Sequence, residues 1–261
     1  MPSAGVNGID LYYEIHGEGP ALVLAHGAGG NHLSWWQQVP VFSQQFRCVT
    51  FDHRGFGSSH DSSDGPGADA FVEDLRRLLD HLGIERTALV AQSMGGWTSL
   101  GFACKYPDRV TALALCDTTG GIDDSEVARE MKSLQAAMPR ALTLVLQRAY
   151  SGNFPQREPA RCFLYQQISA LNVHVPTNLL TKLSAMHHRV DPLVKRQLPT
   201  MLLVGEEDAL TPAKTMQLMT RQISHARFVK VPDAGHSVYF ERPDDFNRIV
   251  LEFLSGAIMG A

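Results

Sequence analysis

The sequence predicts an α/β fold: a mostly parallel twisted sheet with helices on both faces and a helical insertion before the last strands. Two observations carry this expectation. Short apolar runs alternate with longer stretches of helical spacing through most of the chain, the pattern of strands buried on both faces and joined by crossover helices. That rhythm stops between residues 121 and 189, where only helix-like spacing remains, and then resumes.

The elements follow in order. Asn7-Gly8, between Val6 and the alternating stretch 9–15, is a hairpin signal, so the chain opens with an antiparallel edge. Ala21–Ala25 reads as a strand followed by a helix over 32–43, and 46–51 as a strand followed by a helix over 68–82. Thr87–Gln92 leads into a helix over 94–105, and 110–115 is the next strand. Helical spacing over 125–138, 140–150 and 160–171 is broken by Pro139, Pro155, Pro159 and Pro176. The core pattern returns with a strand over 199–204, a helix over 212–222, the strand Arg227–Val231 and a last helix over 243–254. The expected organisation is therefore a core domain formed by 1–120 and 190–261, interrupted by a helical cap over 121–189.

Composition narrows the function. A length of 261 residues with 44% hydrophobic residues suits one large domain. A formal charge of −4, with its acidic side chains dispersed, offers no footprint for nucleic acid and leaves small neutral substrates as the simpler reading. The amino terminus lacks a basic and then apolar leader, and no apolar run approaches the ~20 residues that span a bilayer. A soluble cytoplasmic protein is expected. The four cysteines, Cys48, Cys104, Cys116 and Cys162, lie far apart with no C-x-x-C or zinc spacing, so reduced thiols are expected and no metal site is implied. Oligomeric state is not legible.

Chemistry concentrates at Gln92-Ser93-Met94-Gly95-Gly96. A serine at the tip of a strand-to-helix turn must adopt a strained backbone, and its neighbours must be nearly free of side chains so that strand and helix can pass closely. Ala91, Gly95 and Gly96 meet that demand, with Ala91 standing where G-x-S-x-G has its first glycine. Serine needs a base, and the base needs an orienting acid. Asp208 and His236 each lie just beyond a late strand, although Glu206 and Glu207 are rival acids and the chain has 11 histidines. His187, His188 and His225 read as surface or cap residues.

The order Ser93, Asp208, His236 is the triad order of the α/β-hydrolase superfamily, which the sequence resembles over nearly its whole length, most thinly between 121 and 189. The resemblance is nearest to the group of enol-lactonases, small esterases and cofactor-free haloperoxidase-like proteins. It implies an α/β-hydrolase fold with Ser93 as nucleophile, His236 as base and Asp208 as acid, because Gly205, Asp208 and Pro212 match the family pattern G-x-x-D-x-x-x-P. His26-Gly27-Ala28-Gly29-Gly30 resembles the family's oxyanion loop, which assigns the oxyanion-binding amides to Ala28 and Met94 and makes His26 a structural support. Asp52-His53-Arg54-Gly55-Phe56-Gly57-Ser58-Ser59 resembles a second signature, D-x-R-G-x-G-x-S, read as a brace beneath the site.

Trp35, Trp36, Met138 and Tyr150 are expected to border the substrate, with Met131, Leu134 and Phe154 as further candidates. Arg129, Arg140, Arg148, Arg157 and Arg161 are possible carboxylate binders. The activity implied is hydrolysis of a small carboxylic ester or lactone by water through an acyl-enzyme, without cofactor, metal, nucleic acid or membrane. Three alternatives stay open: hydrolysis of carbon-carbon bonds in vinylogous diketones with the same residues, a ligand receptor on the same fold, and an interaction protein with a vestigial site.

Overall fold

Asn7 and Gly8 both adopt positive φ, 49° and 82°, the conformation a two-residue hairpin needs. They join β1 (Ser3–Val6) to β2 (Ile9–His16) in antiparallel register. The computed structural model describes residues 2–62, 64–136 and 147–258. Among them β2 also pairs antiparallel with β4 (Arg47–Phe51), while β3 (Ala21–Ala25), β5 (Thr87–Gln92), β6 (Val110–Cys116), β7 (Thr200–Gly205) and β8 (Arg227–Val231) run parallel. The result is an eight-stranded sheet of order β1-β2-β4-β3-β5-β6-β7-β8.

That order places the site. From β3 the chain moves to one side to make β4, then crosses to the other side to make β5. The loops after β3 and β5 consequently part at the carboxyl edge and leave a crevice between them, the usual ligand position in an open α/β sheet. Register keeps neighbouring strand ends level, pairing Ala25 with Ala91, Gln92 with Cys116, and Cys116 with Leu203.

Alternate residues of each strand feed opposite faces. Val23, Ala25, Leu89, Ala91, Leu113 and Leu115 pack with Leu75, Leu78, Leu100 and Phe102 from helices Phe71–His81 and Gly95–Lys105. Leu22, Leu24, Ala88, Val90, Ala112 and Ala114 pack instead with Phe246, Val250 and Leu254 of helix Pro243–Ile258. Burial on both sides explains why these strands read as continuous apolar runs rather than as alternation.

Several boundaries differ from the sequence expectation. The stretch 32–43 is not one helix but a 3-10 turn, His32–Trp35, and a short helix, Val39–Phe42, with Pro40 in its first turn; proline suits a first turn and not a helix interior. For the same reason Pro155 and Pro159 lie in the first turns of helices Phe154–Arg157 and Pro159–Ala170. The last helix runs on to Ile258. Helices Ser125–Ala136, Phe154–Arg157, Pro159–Ala170 and Leu179–Ala185 all fall between β6 and β7, whereas most of the expected helix 140–150 lies outside the described residues. All four cysteines are free. No helix among the described residues is long and apolar enough to cross a membrane.

Candidate active site

Ser93 sits in the left-handed region at φ 48°, a strained conformation for a non-glycine residue that persists where surroundings impose it. Those surroundings are visible. Its amide donates to Cys116 O at 3.0 Å, and its carbonyl accepts from Gly96 N at 2.8 Å. A methyl group on Gly95 would stand 2.3 Å from Ala25 O, and one on Gly96 2.4 Å from Thr118 Oγ1. At Ala91 a methyl group has room, because it points into the core beside Ala25 and Leu115.

The loops after β7 and β8 bring acid and base to this serine. His236 Nε2 is 2.8 Å from Ser93 Oγ, and its Nδ1 lies 2.9 and 3.0 Å from the two oxygens of Asp208. Asp208 Oδ1 also accepts from the amides of Leu210 and Thr211, each at 2.8 Å, which fixes the carboxylate plane. A carboxylate can only accept, so Nδ1 carries the proton and Nε2 is left to accept from the serine hydroxyl. Gln92 Nε2 holds the backbone of His236 through its carbonyl at 2.7 Å. The rival acids point elsewhere: Glu206 and Glu207 are exposed, and Glu206 pairs with Lys230. Among the rival histidines, His225 bonds Leu198 O, and His187 is exposed.

Ala28 and Met94 border the crevice, and neither amide has a backbone hydrogen-bond partner among the described residues. Two such donors at a helix start and a glycine-rich turn can stabilise a developing oxyanion. The Ala28 turn is held from below. His26 is fully buried; its Nδ1 bonds Gly27 O at 2.8 Å, and its Nε2 accepts from His53 N at 3.0 Å. His53 Nε2 lies 2.9 Å from Thr98 Oγ1 on the helix that follows Ser93. Burial, only partly offset by Asp52, pushes the His26 imidazole down from 6.5 to about 4.

An acid-stability prediction follows from this shift. Between about pH 6.5 and pH 4 the unfolded chain protonates His26 and the folded one does not, so its share of stability is full above 6.5 and lost as pH falls toward 4. The shift corresponds to about 3 kcal/mol. Urea unfolding of wild type and His26→Gln across this range should show the gap between them closing as pH falls by roughly that amount. A gap independent of pH would show that His26 is not held neutral.

Asp52 and Arg54 brace separate parts of the loop and do not pair with each other. Asp52 accepts from His32 N at 2.7 Å, His32 Nδ1 at 2.8 Å and Ser58 N at 2.8 Å. Arg54 takes Asp74 with two nitrogens at 2.8 and 2.7 Å, Asp61 at 2.9 Å and Asn7 O at 2.8 Å, tying the loop to the first hairpin.

Above Ser93 and His236 opens a cavity of about 430 Å³ with a largely apolar wall of Trp97, Met131, Leu134, Leu180, Leu183 and Leu210. Met131 and Leu134 were expected there. Trp35, Trp36 and Tyr150 were expected at the pocket, and the structure puts them elsewhere. Trp35 is wholly buried against Tyr239, ring centroids 5.0 Å apart, in the core under the last helix. Trp36 is part-exposed against Phe240, and Tyr150 packs tilted on Phe154 and edge-to-face with Tyr165. Because His32–Trp35 is a short 3-10 turn rather than part of one helix, the two tryptophans pack on helix Val238–Glu241, through Tyr239 and Phe240, and Trp35 also meets Phe246 of the last helix. Phe154 is core as well. Met138 and Arg140 lie outside the described residues, and Arg129, Arg148, Arg157 and Arg161 do not line the cavity.

Sequence reasoning missed Trp97, Leu180, Leu183 and Leu210. Trp97 had a usable signal, lying in the first turn of the helix Gly95–Lys105 that Ser93 immediately precedes. Leu183 had none, since only tertiary packing of helix Leu179–Ala185 brings it near.

A strained serine turn, a histidine-acid pair and two open amides at a topological switch point define a protein of the hydrolase class. The family model described as alpha/beta hydrolase fold matches residues 20–148 and 140–243, and the chain belongs to that family. It is 29% identical over 271 residues to a protein of Caulobacter sp. (strain K31) provisionally named carbamate hydrolase RutD, covering 98% of this chain and 99% of the relative. Among solved structures it resembles a thermophilic esterase from Thermogutta terrifontis, with a TM-score of 0.78, 27% identity, and 97% and 96% of the two chains covered. It is also similar to the enol-lactonase from Burkholderia xenovorans LB400, with a TM-score of 0.76, 27% identity, and 97% and 100% covered.

Proposed function

We propose that the protein is a serine hydrolase that cleaves a small carboxylic ester or lactone through an acyl-enzyme. The observation that carries this reading is the 2.8 Å contact of His236 Nε2 with Ser93 Oγ while Nδ1 is held by Asp208. His236 takes the serine proton as Oγ attacks the substrate carbonyl carbon, and the oxyanion settles against the amides of Ala28 and Met94. Collapse breaks the bond to the leaving oxygen, which takes the proton from the imidazolium; in a lactone this opens the ring. Water, deprotonated by His236, then attacks the acyl carbon, releases the acid and restores Ser93. The helices of 121–189 act as a cap, with Met131, Leu134, Leu180 and Leu183 forming the wall that faces the nucleophile. An apolar wall of this kind suits an uncharged acyl group, and the esterase and enol-lactonase neighbours support the same substrate class.

The test is steady-state turnover of p-nitrophenyl esters of increasing acyl length, aryl esters and small lactones, with a carbamate and a vinylogous diketone in the same panel. Serine-dependent turnover of esters or lactones is expected. Labelling of Ser93 by a fluorophosphonate with no turnover of any ester or lactone would overturn the proposed substrate class and leave the nucleophile standing.

A further inference from the structure

Asp117 is a wholly buried carboxyl group that the chemistry above does not use, and it stands where three loops of the site meet. Its backbone lies in the left-handed region at φ 53°, a conformation aspartate tolerates better than most residues but which still stores strain. Its amide is anchored to Leu203 O at 2.8 Å, and the carbonyl just before it, Cys116 O, accepts from Ser93 N at 3.0 Å. The side chain then reaches the other two loops. Oδ1 accepts from Gly205 N at 3.0 Å, and Oδ2 accepts from Val238 N at 3.4 Å. Gly205 ends the strand that leads to Asp208, and Val238 opens the short helix Val238–Glu241 just after His236. The dipeptide Cys116-Asp117 therefore touches the serine, acid and histidine segments at once.

We propose that Asp117 is a positioning residue for the reaction: by bridging the loops that carry Asp208 and His236, it holds the acid-histidine pair at hydrogen-bonding distance from Ser93. The inference rests on the serine-hydrolase reading above. No other described side chain bonds to both the Gly205 and the Val238 amides. The ionisable groups around it are Asp208 on the loop after β7, Glu241 and Tyr239 on the helix after His236, Tyr165 on helix Pro159–Ala170, and Cys116 on its own strand. Burial first, and then the negative charge of Asp208, push the Asp117 carboxyl well above the usual carboxylate range. That favours a neutral acid; asparagine matches it in shape and charge but accepts through one oxygen only, so it keeps one of the two amide bonds and turns a donor toward the other amide.

The test compares wild type with Asp117→Ala and Asp117→Asn by the rate at which a fluorophosphonate labels Ser93, by kcat and KM on the best panel substrate, and by thermal unfolding. Asp117→Ala should slow labelling and lower kcat by ~10²-fold, the usual result of an ångström of misplacement, while KM stays within about threefold because the cavity wall belongs to other elements. Asp117→Asn should recover part of the loss, because its one carbonyl oxygen can still accept from the Gly205 amide but its NH2 cannot accept from Val238, and the acidic limb of its kcat/KM profile should superimpose on that of wild type. If the alanine variant does not fold, Asp117→Ser carries the same expectation, since its hydroxyl is too short to bridge both amides. Labelling at the wild-type rate in the alanine or serine variant would overturn the proposal. So would wild-type activity in Asp117→Asn, which cannot bridge both amides, or a displaced acidic limb in that variant, which would mean that Asp117 acts by charge. A wild-type Ser93 that resists labelling would instead overturn the serine-hydrolase reading and take this inference with it.

Discussion

Ser93→Ala should lower turnover of every ester and lactone by at least ~10⁴-fold, because nucleophile, base and acid act as a unit and removal of one leaves only binding and oxyanion stabilisation. The fold should survive. The substitution removes one hydroxyl whose partner is His236 Nε2 and leaves the backbone bonds of the turn in place. Unfolding free energy is thus expected to change by no more than about 1 kcal/mol. Both measurements are needed: lost activity in a protein that melts as wild type does isolates the chemistry, and near-normal activity would refute the mechanism outright.

Asp208→Asn should be nearly as severe, about 10⁴-fold in kcat, for a reason readable from its hydrogen bonds. The asparagine carbonyl can take over the amides of Leu210 and Thr211, both 2.8 Å from Asp208 Oδ1. Its amino group then faces His236 Nδ1 and, being a donor, forces that nitrogen to accept. The proton moves to Nε2, where it meets the serine hydroxyl, and the base is lost through the wrong tautomer. Glu206→Gln and Glu207→Gln should stay near wild type, since both side chains are exposed and face away from the imidazole. Kinetics on the purified variants check the ranking, and a severe loss at either glutamate with a mild one at Asp208 would reassign the acid.

Much of this was legible because it is local. The hairpin at Asn7-Gly8, the bounds of Thr87–Gln92 and the small residues around Ser93 follow from turn chemistry and from strands buried on both faces. Asp208 was set apart from Glu206 and Glu207 by the resemblance to the family pattern, and among these three residues only Asp208 is buried. Errors arose where one local signal competed with another. The stretch 32–43 reads as one helix, but Pro40 lies in the first turn of a separate helix, and Trp35, expected at the substrate from its place after the oxyanion loop, packs in the core against Tyr239. Asp117 gave no signal, since an aspartate after a strand is ordinary loop chemistry.

By itself, then, the sequence determined the alternation of strand and helix, the strained serine turn and the candidate partners for that serine, because each depends on residues adjacent in the chain. Tertiary structure alone decided the distances among Ser93, His236 and Asp208, the wall of the cavity and the bridging place of Asp117. Those depend on how the ends of β3, β5, β6, β7 and β8 line up across the sheet, and strand register is set by packing between segments far apart in sequence.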